Sequence, residues 1–350
     1  MKDGFIKAAS ASPVIKVADT EYNAQRVIET IKAADEMGVK MLVFPELVLT
    51  GCTCYDLTGH NVVLRGAKKA LLEVIAASEG VDMLVFVGLP IAVGSRLYSC
   101  AAAIYDGELL GLVPRENVRG TQFAEPADSY VEVEIDAEHV AVLSTDYVFT
   151  CAALPDLKVA AELGADIDVL VPPSVRHAQA GATVIAQLAS FPETVTSADE
   201  AELTLRSQSR RLHCGMIMAA PGKGESTTDN VFSGLCMIAE NGEILAASEC
   251  ENSMAVTELD VEYIVNTRRG SDDFDLDSDE YYEAVWGGEP VETELTRSYR
   301  KYPHLPANEA DMPAYCERML DIQVSGLVKR MQYAGLDHCV VGISGGVDST

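Results

Sequence analysis

The chain has 350 residues, of which 48% are hydrophobic, and a formal net charge of -28. That length and apolar fraction suit one large α/β domain plus part of another, and the charge argues against nucleic acid or an anionic membrane surface as a partner. No apolar run is long enough to span a bilayer, and the N-terminus MKDGFIKAAS lacks the long apolar stretch of a signal peptide. The nine cysteines therefore read as reduced core residues of a cytoplasmic protein. Cys52 and Cys54 are close together, but no second ligand pair stands at zinc spacing, so no metal site is expected.

In chain order, Phe5 to Ala9 reads as a first strand. Asp19 or Thr20 can cap a helix running to Met37, with Ala24, Val27, Ile28, Ile31 and Ala34 as its apolar stripe and Gly38 ending it. Met41 to Phe44 is a continuous apolar run, as in a strand buried on both faces. A second helix spans about 61–78, with Leu64, Ala67, Leu71, Leu72 and Ile75 inward, and Met83 to Gly88 is another buried strand. Two hairpins follow from turn chemistry. Tyr98–Tyr105 and Glu108–Val113 flank Asp106-Gly107, and Val231–Ala239 and Ile244–Ser248 flank Asn241-Gly242. Helices, buried strands and these hairpins predict a layered α/β sandwich.

Ser271 to Glu283 is a dense acidic run, expected as a solvated loop or linker, and it lacks the spacing of a calcium loop. After Pro313 a helix to about Tyr333 is expected to bury Cys316, Leu320, Val324, Leu327 and Met331, and Gly335 closes it. Val340 to Ile343 then reads as a short buried strand leading into SGGVDST.

Glu46 sits behind Pro45 at the C-terminal end of the Met41 strand, where α/β folds place chemistry. An acid there is costly unless paired or used. It reads either as a functional carboxylate or as one capping backbone N–H groups.

Several motifs in order carry a family resemblance. FPELVLTG at 44–51, the YSCAAAIYDGELLGLVP hairpin and GKGESTTDNVFSGLCMIAENGEILA at 222–246 resemble the nitrilase, or carbon–nitrogen hydrolase, superfamily. PPSVRHAQAGATVIAQLA at 172–189 looks like the amidase domain of the glutamine-dependent NAD synthetase family, and DIQVSGLVKRM followed by VVGISGGVDST looks like the opening of that family's synthetase domain. The resemblance implies an αββα sandwich over residues 1–269, an acidic linker over 270–309 and the incomplete start of a PP-loop α/β domain over 310–350. It implies ammonia release from glutamine in the first part. In the second, ATP with magnesium adenylates deamido-NAD, and ammonia displaces AMP. Ser344, Gly345, Gly346, Asp348 and Ser349 are then the ATP-binding residues: glycines let backbone N–H groups approach a pyrophosphate, and the serines add hydroxyl donors. A homo-oligomer, with neither nucleic acid nor membrane as partner, is also expected.

Nitrilase-type hydrolysis uses a Cys nucleophile, a Glu base and a Lys that stabilises the oxyanion. Glu46 matches the Glu. The Lys normally follows Val-Pro at the end of the first hairpin, where this chain has Arg115, a swap that is not conservative. Counting back from PPS places the Cys position at Gly164, which offers no nucleophile. A second register, Val142 to Asp146, would make Ser144 the nucleophile. Glu125 could stand near a second family Glu. Gln187 to Glu193 and Glu200 to Glu202 replace segments that hold glutamine in the family, where a Tyr-Arg-Arg would attract its carboxylate. Three readings stand: an NAD synthetase with a lost glutaminase nucleophile, an amidase with a displaced nucleophile such as Ser144 or Cys151, and a non-catalytic assembly or regulatory module.

Overall fold

Side chains along β1 (Phe5–Ser12) alternate between two cores: Ile6 and Ala8 face one, Ala9 and Ala11 the other. The computed structural model describes residues 2–127, 130–249, 252–274, 281–288 and 290–349. Its chain divides into two units, residues 1–297 and 298–350.

In the first unit, α1 (Thr20–Glu36) starts where the Asp19 carboxylate accepts the Tyr22 amide, 3.1 Å away. The three-residue β2 (Met41–Val43) follows, then α2 (Asn61–Ala77) and β3 (Leu84–Val93). The first hairpin is β4 (Arg96–Tyr105) and β5 (Glu108–Pro114), joined at Asp106 and Gly107 with φ of 46° and 78°. Both central residues are left-handed, as a type I′ turn requires. Next come β6 (Val131–Glu134), β7 (Val140–Leu143), β8 (Tyr147–Cys151), β9 (Leu154–Leu163), α3 (Pro173–Gln179), β10 (Val184–Leu188), α4 (Ser197–Leu212) and β11 (Gly215–Ala219). The second hairpin pairs β12 (Leu235–Glu240) with β13 (Glu243–Glu249), starting four residues later than the expected Val231. Then β14 (Ser253–Asp260) and α5 (Val261–Arg268) lead to β15 (Tyr282–Trp286).

The strands form an eight-stranded sheet, ordered β14-β1-β2-β3-β4-β5-β7-β6, and a seven-stranded sheet, ordered β13-β12-β11-β10-β9-β8-β15. Three apolar layers result. Ala24, Val27 and Ile31 of α1 and Leu71, Val74 and Ile75 of α2 cover the first sheet. Met41, Val43, Phe86, Val159, Val184 and Ala186 fill the space between sheets. Leu205 and Leu212 of α4 cover the second sheet with Ile185 and Met216. This is the expected αββα sandwich. The buried face of α2 is rotated slightly from the one read above: Val63, Ala70 and Val74 are buried, whereas Leu64 and Leu72 are only partly so.

The first unit runs past residue 269 to Arg297. Of the acidic run, residues 275–280 lie outside the described residues. Beyond them, β15 adds a parallel strand beside β8, and Trp286 is buried with its indole N–H donating to the Phe149 carbonyl at 3.2 Å. Farther on, Arg297 forks onto buried Glu240, and the Thr296 hydroxyl donates to buried Glu258 at 3.0 Å. Trp286, Thr296 and Arg297 thus attach a stretch that composition alone reads as solvated.

In the second unit α6 (Met312–Ala334) forms as expected and ends at Gly335, left-handed with φ 65°. Its expected apolar stripe is not buried, and residues 340–343 form no strand and are exposed. A helix face is buried only against a second layer, and a lone strand has no neighbour to take its backbone groups.

Candidate active site

Pro45 ends β2, and the chain turns at once, with Leu47 left-handed at φ 57°. The turn lies hard against β3. A Cβ on Gly88 would stand 2.4 Å from both the Leu47 nitrogen and the Pro45 oxygen, so glycine is what permits this approach. The Glu46 amide donates to the Ala189 carbonyl at 3.1 Å, just beyond β10, which ties the turn of one sheet to the other.

The Glu46 side chain is buried at the point where the ends of β2, β5, β9 and β10 meet. Its Oε1 accepts the Ser99 hydroxyl of β4 at 2.6 Å. Arg115, the residue after β5, donates from Nη1 to both carboxylate oxygens, at 3.3 and 3.2 Å. The Arg115 amide donates to the Ser99 carbonyl at 2.8 Å, and its Nε donates to the Asn117 carbonyl at 2.9 Å. Gly164, the residue after β9, completes the group. It is left-handed at φ 55°, and a Cβ built on it would lie 2.6 Å from Glu46 Oε2 and from Arg115 Cζ and Nη1. Glu46, Arg115 and Gly164 are therefore in one place.

The frame around Gly164 is polar, buried and hydrogen-bonded. Gln187 of β10 donates from Nε2 to the Gly164 carbonyl at 2.9 Å. The Asp166 carboxylate accepts the Asn117 amide at 2.6 Å, the Glu116 amide at 3.1 Å and the Leu163 amide at 3.3 Å. It thus fastens the segment after Arg115 to the turn after β9. Burial pushes the Asp166 carboxyl up to about 6, against the pull of the Asn117 and Glu116 amides. Two residues before Gly164, Glu162 accepts the Ser174 amide at 3.0 Å, and burial pushes its carboxyl up to about 8.

A cavity of about 370 Å³ opens onto Glu46 and Arg115, with Tyr55, Phe123 and Phe232 among its walls and Ser190 and Asn230 as polar points. Cys52 lines it too, but burial first, then the carboxylates of Glu225 and Glu46, push its thiol well above the ordinary range. A thiol held protonated is a poor nucleophile.

The other sequence candidates lie elsewhere. Ser144 and Glu125 line a separate cavity of about 700 Å³ with Glu116, Asp146 and Arg176, and the Ser144 hydroxyl accepts the Asp146 amide at 3.2 Å. Cys151 is buried in β8 within the inter-sheet core, where burial raises its thiol. Glu200 lines a neighbouring cavity of about 230 Å³ with Phe191, Pro192 and Asp168. Glu202 pairs with Arg206 one helical turn on. In the second unit, the Ser344 and Ser349 hydroxyls lie 3.0 Å apart across a turn in which Gly345 is left-handed at φ 85°. The side chain of Asp348 in that turn lies outside the described residues.

Sequence reading missed Ser99, Asp166 and Glu225 as parts of the site. Ser99 was visible as a hydroxyl in an otherwise apolar strand. Glu225 is buried and accepts the Cys52 and Thr53 amides at 2.8 and 3.0 Å, which holds one cavity wall.

An αββα sandwich with a buried Glu and a cation where strand ends converge defines a nitrilase-type hydrolase scaffold. Residues 7–269 match the carbon–nitrogen hydrolase family, and the chain belongs to it. It is homologous to the glutamine-dependent NAD(+) synthetases of Mycobacterium tuberculosis (strain ATCC 25618 / H37Rv) and Mycobacterium leprae, 31% identical to each over 99% of this chain and 54% of the relative. The chain thus spans about half the length of these curated relatives. Among solved structures, a glutamine-dependent NAD(+) synthetase from Cytophaga hutchinsonii superimposes with a TM-score of 0.64 at 19% identity, over 73% of this chain and 43% of that one. An amidase of the nitrilase superfamily from Nesterenkonia AN1 superimposes with a TM-score of 0.59 at 15% identity, over 77% and 96%. At these identities the likeness is one of fold.

Proposed function

We propose that this chain is the nitrilase-fold half of a glutamine-dependent NAD synthetase-like protein in which the glutaminase nucleophile has been lost. Gly164, in place against Glu46 and Arg115, carries the reading. Covalent amide hydrolysis needs a side chain that attacks the carbonyl carbon, and glycine has none. Glu46 keeps the position of the general base, but its carboxylate is engaged by Ser99 and Arg115. Arg115 keeps positive charge where the lysine would stabilise an oxyanion, in a wider and differently shaped group. The whole protein would then amidate deamido-NAD with free ammonia and ATP.

The second unit is read as the start of the ATP-binding domain. Ser344, Gly345, Gly346 and Ser349 fit that role by their donor set: two hydroxyls and a left-handed glycine in one exposed turn, suited to a pyrophosphate that would arrive with magnesium.

The test is ammonia release from glutamine by the purified chain beside the Gly164→Cys/Arg115→Lys variant. No release by the parent and some by the variant is the expected result. Release by the parent at a rate typical of an intact glutaminase would overturn the proposal.

A further inference from the structure

A Cβ at position 164 would meet Arg115 Cζ, Arg115 Nη1 and Glu46 Oε2, each at 2.6 Å, well inside van der Waals contact. All three atoms are ends of side chains, and what resists their displacement is the set of hydrogen bonds that holds them. Arg115 is tied through its Nη1 to Glu46, through its Nε to Asn117 and through its amide to Ser99. Glu46 is tied by the Ser99 hydroxyl and by its own amide to Ala189. The turn at Gly164 is tied by Gln187 to its carbonyl and by Asp166 across its next turn. The clash is with the guanidinium carbon and a nitrogen that both carboxylate oxygens share, not with the loose end of a surface side chain.

We infer that Arg115 and Gly164 are one reciprocal replacement. The guanidinium occupies the volume into which a side chain at 164 would project, and it excludes any such side chain while it holds Glu46. A lysine at 115 is slimmer and ends in a single ammonium, so it leaves that volume open while keeping the charge opposite Glu46. Arg115 is in this sense a positioning residue. It decides whether position 164 can carry a nucleophile at all, and a cysteine at 164 is admitted only after, or together with, a change at 115. The inference rests on the assignment of Gly164 made above for its functional meaning, but its physical content is packing.

The test is a double-mutant cycle read by thermal unfolding. Gly164→Ala is made in the parent and in the Arg115→Lys background. The strain of a left-handed alanine is common to both and cancels. The expected result is a Tm loss in the parent of several degrees, falling to less than half of that in the Arg115→Lys background. Folding of Gly164→Ala only in the Arg115→Lys background also supports the inference. Equal losses, or failure to fold in both backgrounds, overturns it. As a second measurement, Gly164→Cys and Gly164→Cys/Arg115→Lys are treated with iodoacetamide, and labelling of residue 164 is followed by mass spectrometry. Severalfold faster labelling of the double variant is expected, and equal rates refute the inference. Neither measurement uses glutamine. The packing inference and the assignment of a lost glutaminase can therefore fail separately.

Discussion

Glu162→Gln should reverse part of the pH dependence of stability. The carboxyl is about 1% exposed, accepts the Ser174 amide at 3.0 Å, and is pushed by burial from 4.5 up to about 8. A carboxyl whose folded value lies above its unfolded one binds a proton more tightly when folded. Its contribution to stability is complete below pH 4.5 and is lost as the pH rises from there through about 8. Each pH unit in that window removes about 1.4 kcal/mol. The glutamine variant has the same shape, can still accept from Ser174 and does not titrate. Relative to the parent it should gain about 2 kcal/mol between pH 4.5 and pH 6, and about 4 kcal/mol by pH 8. Urea unfolding followed by Trp286 fluorescence at several pH values gives the difference directly, because other titrating groups are common to both proteins. A difference that stays flat from pH 5 to pH 8 would show that Glu162 is ionised in the folded protein and that burial does not govern it.

Three further outcomes are expected. Arg297→Met should cost about 3–5 kcal/mol, because it leaves the buried Glu240 carboxylate without its cation; urea midpoints unchanged from the parent would mean that 282–297 is not part of the first unit. Gly88→Ala should cost about 1–3 kcal/mol by overpacking, since its methyl would press on Pro45 and Leu47, and a wild-type Tm would contradict the close approach of the Glu46 turn. Burial, with the Arg176 charge, holds the His177 imidazole down to about 3. Its contribution to stability is therefore present above pH 6.5 and is lost on acidification from 6.5 to about 3, by about 1.4 kcal/mol per pH unit. His177→Gln should show a shallower acid limb in thermal unfolding, and an unchanged limb would place the acid sensitivity elsewhere.

Much of the scaffold is legible in the chain because its causes are local. The apolar run at Met41, the cap at Asp19 and the paired left-handed residues at Asp106-Gly107 and Asn241-Gly242 act within a few residues. The family resemblance pointed to Glu46, Arg115 and Gly164, which lie just past the ends of β2, β5 and β9, where α/β sheets gather functional residues. Neither spacing nor periodicity could show that Ser99 donates to Glu46, that Asp166 fastens the Asn117 segment, or that Ser144 faces a different cavity. Those contacts join residues about 50 positions apart or more, and only the stacking of two sheets sets their distances. Tertiary structure also carried the first unit to Arg297, because buried carboxylates on β12 and β14 draw in a cation and hydroxyl from a stretch whose composition reads as solvent-facing. It likewise decided that Arg115 and a side chain at 164 compete for one volume. Sequence names the two residues, but exclusion depends on 2.6 Å between groups that the chain brings together from 49 positions apart.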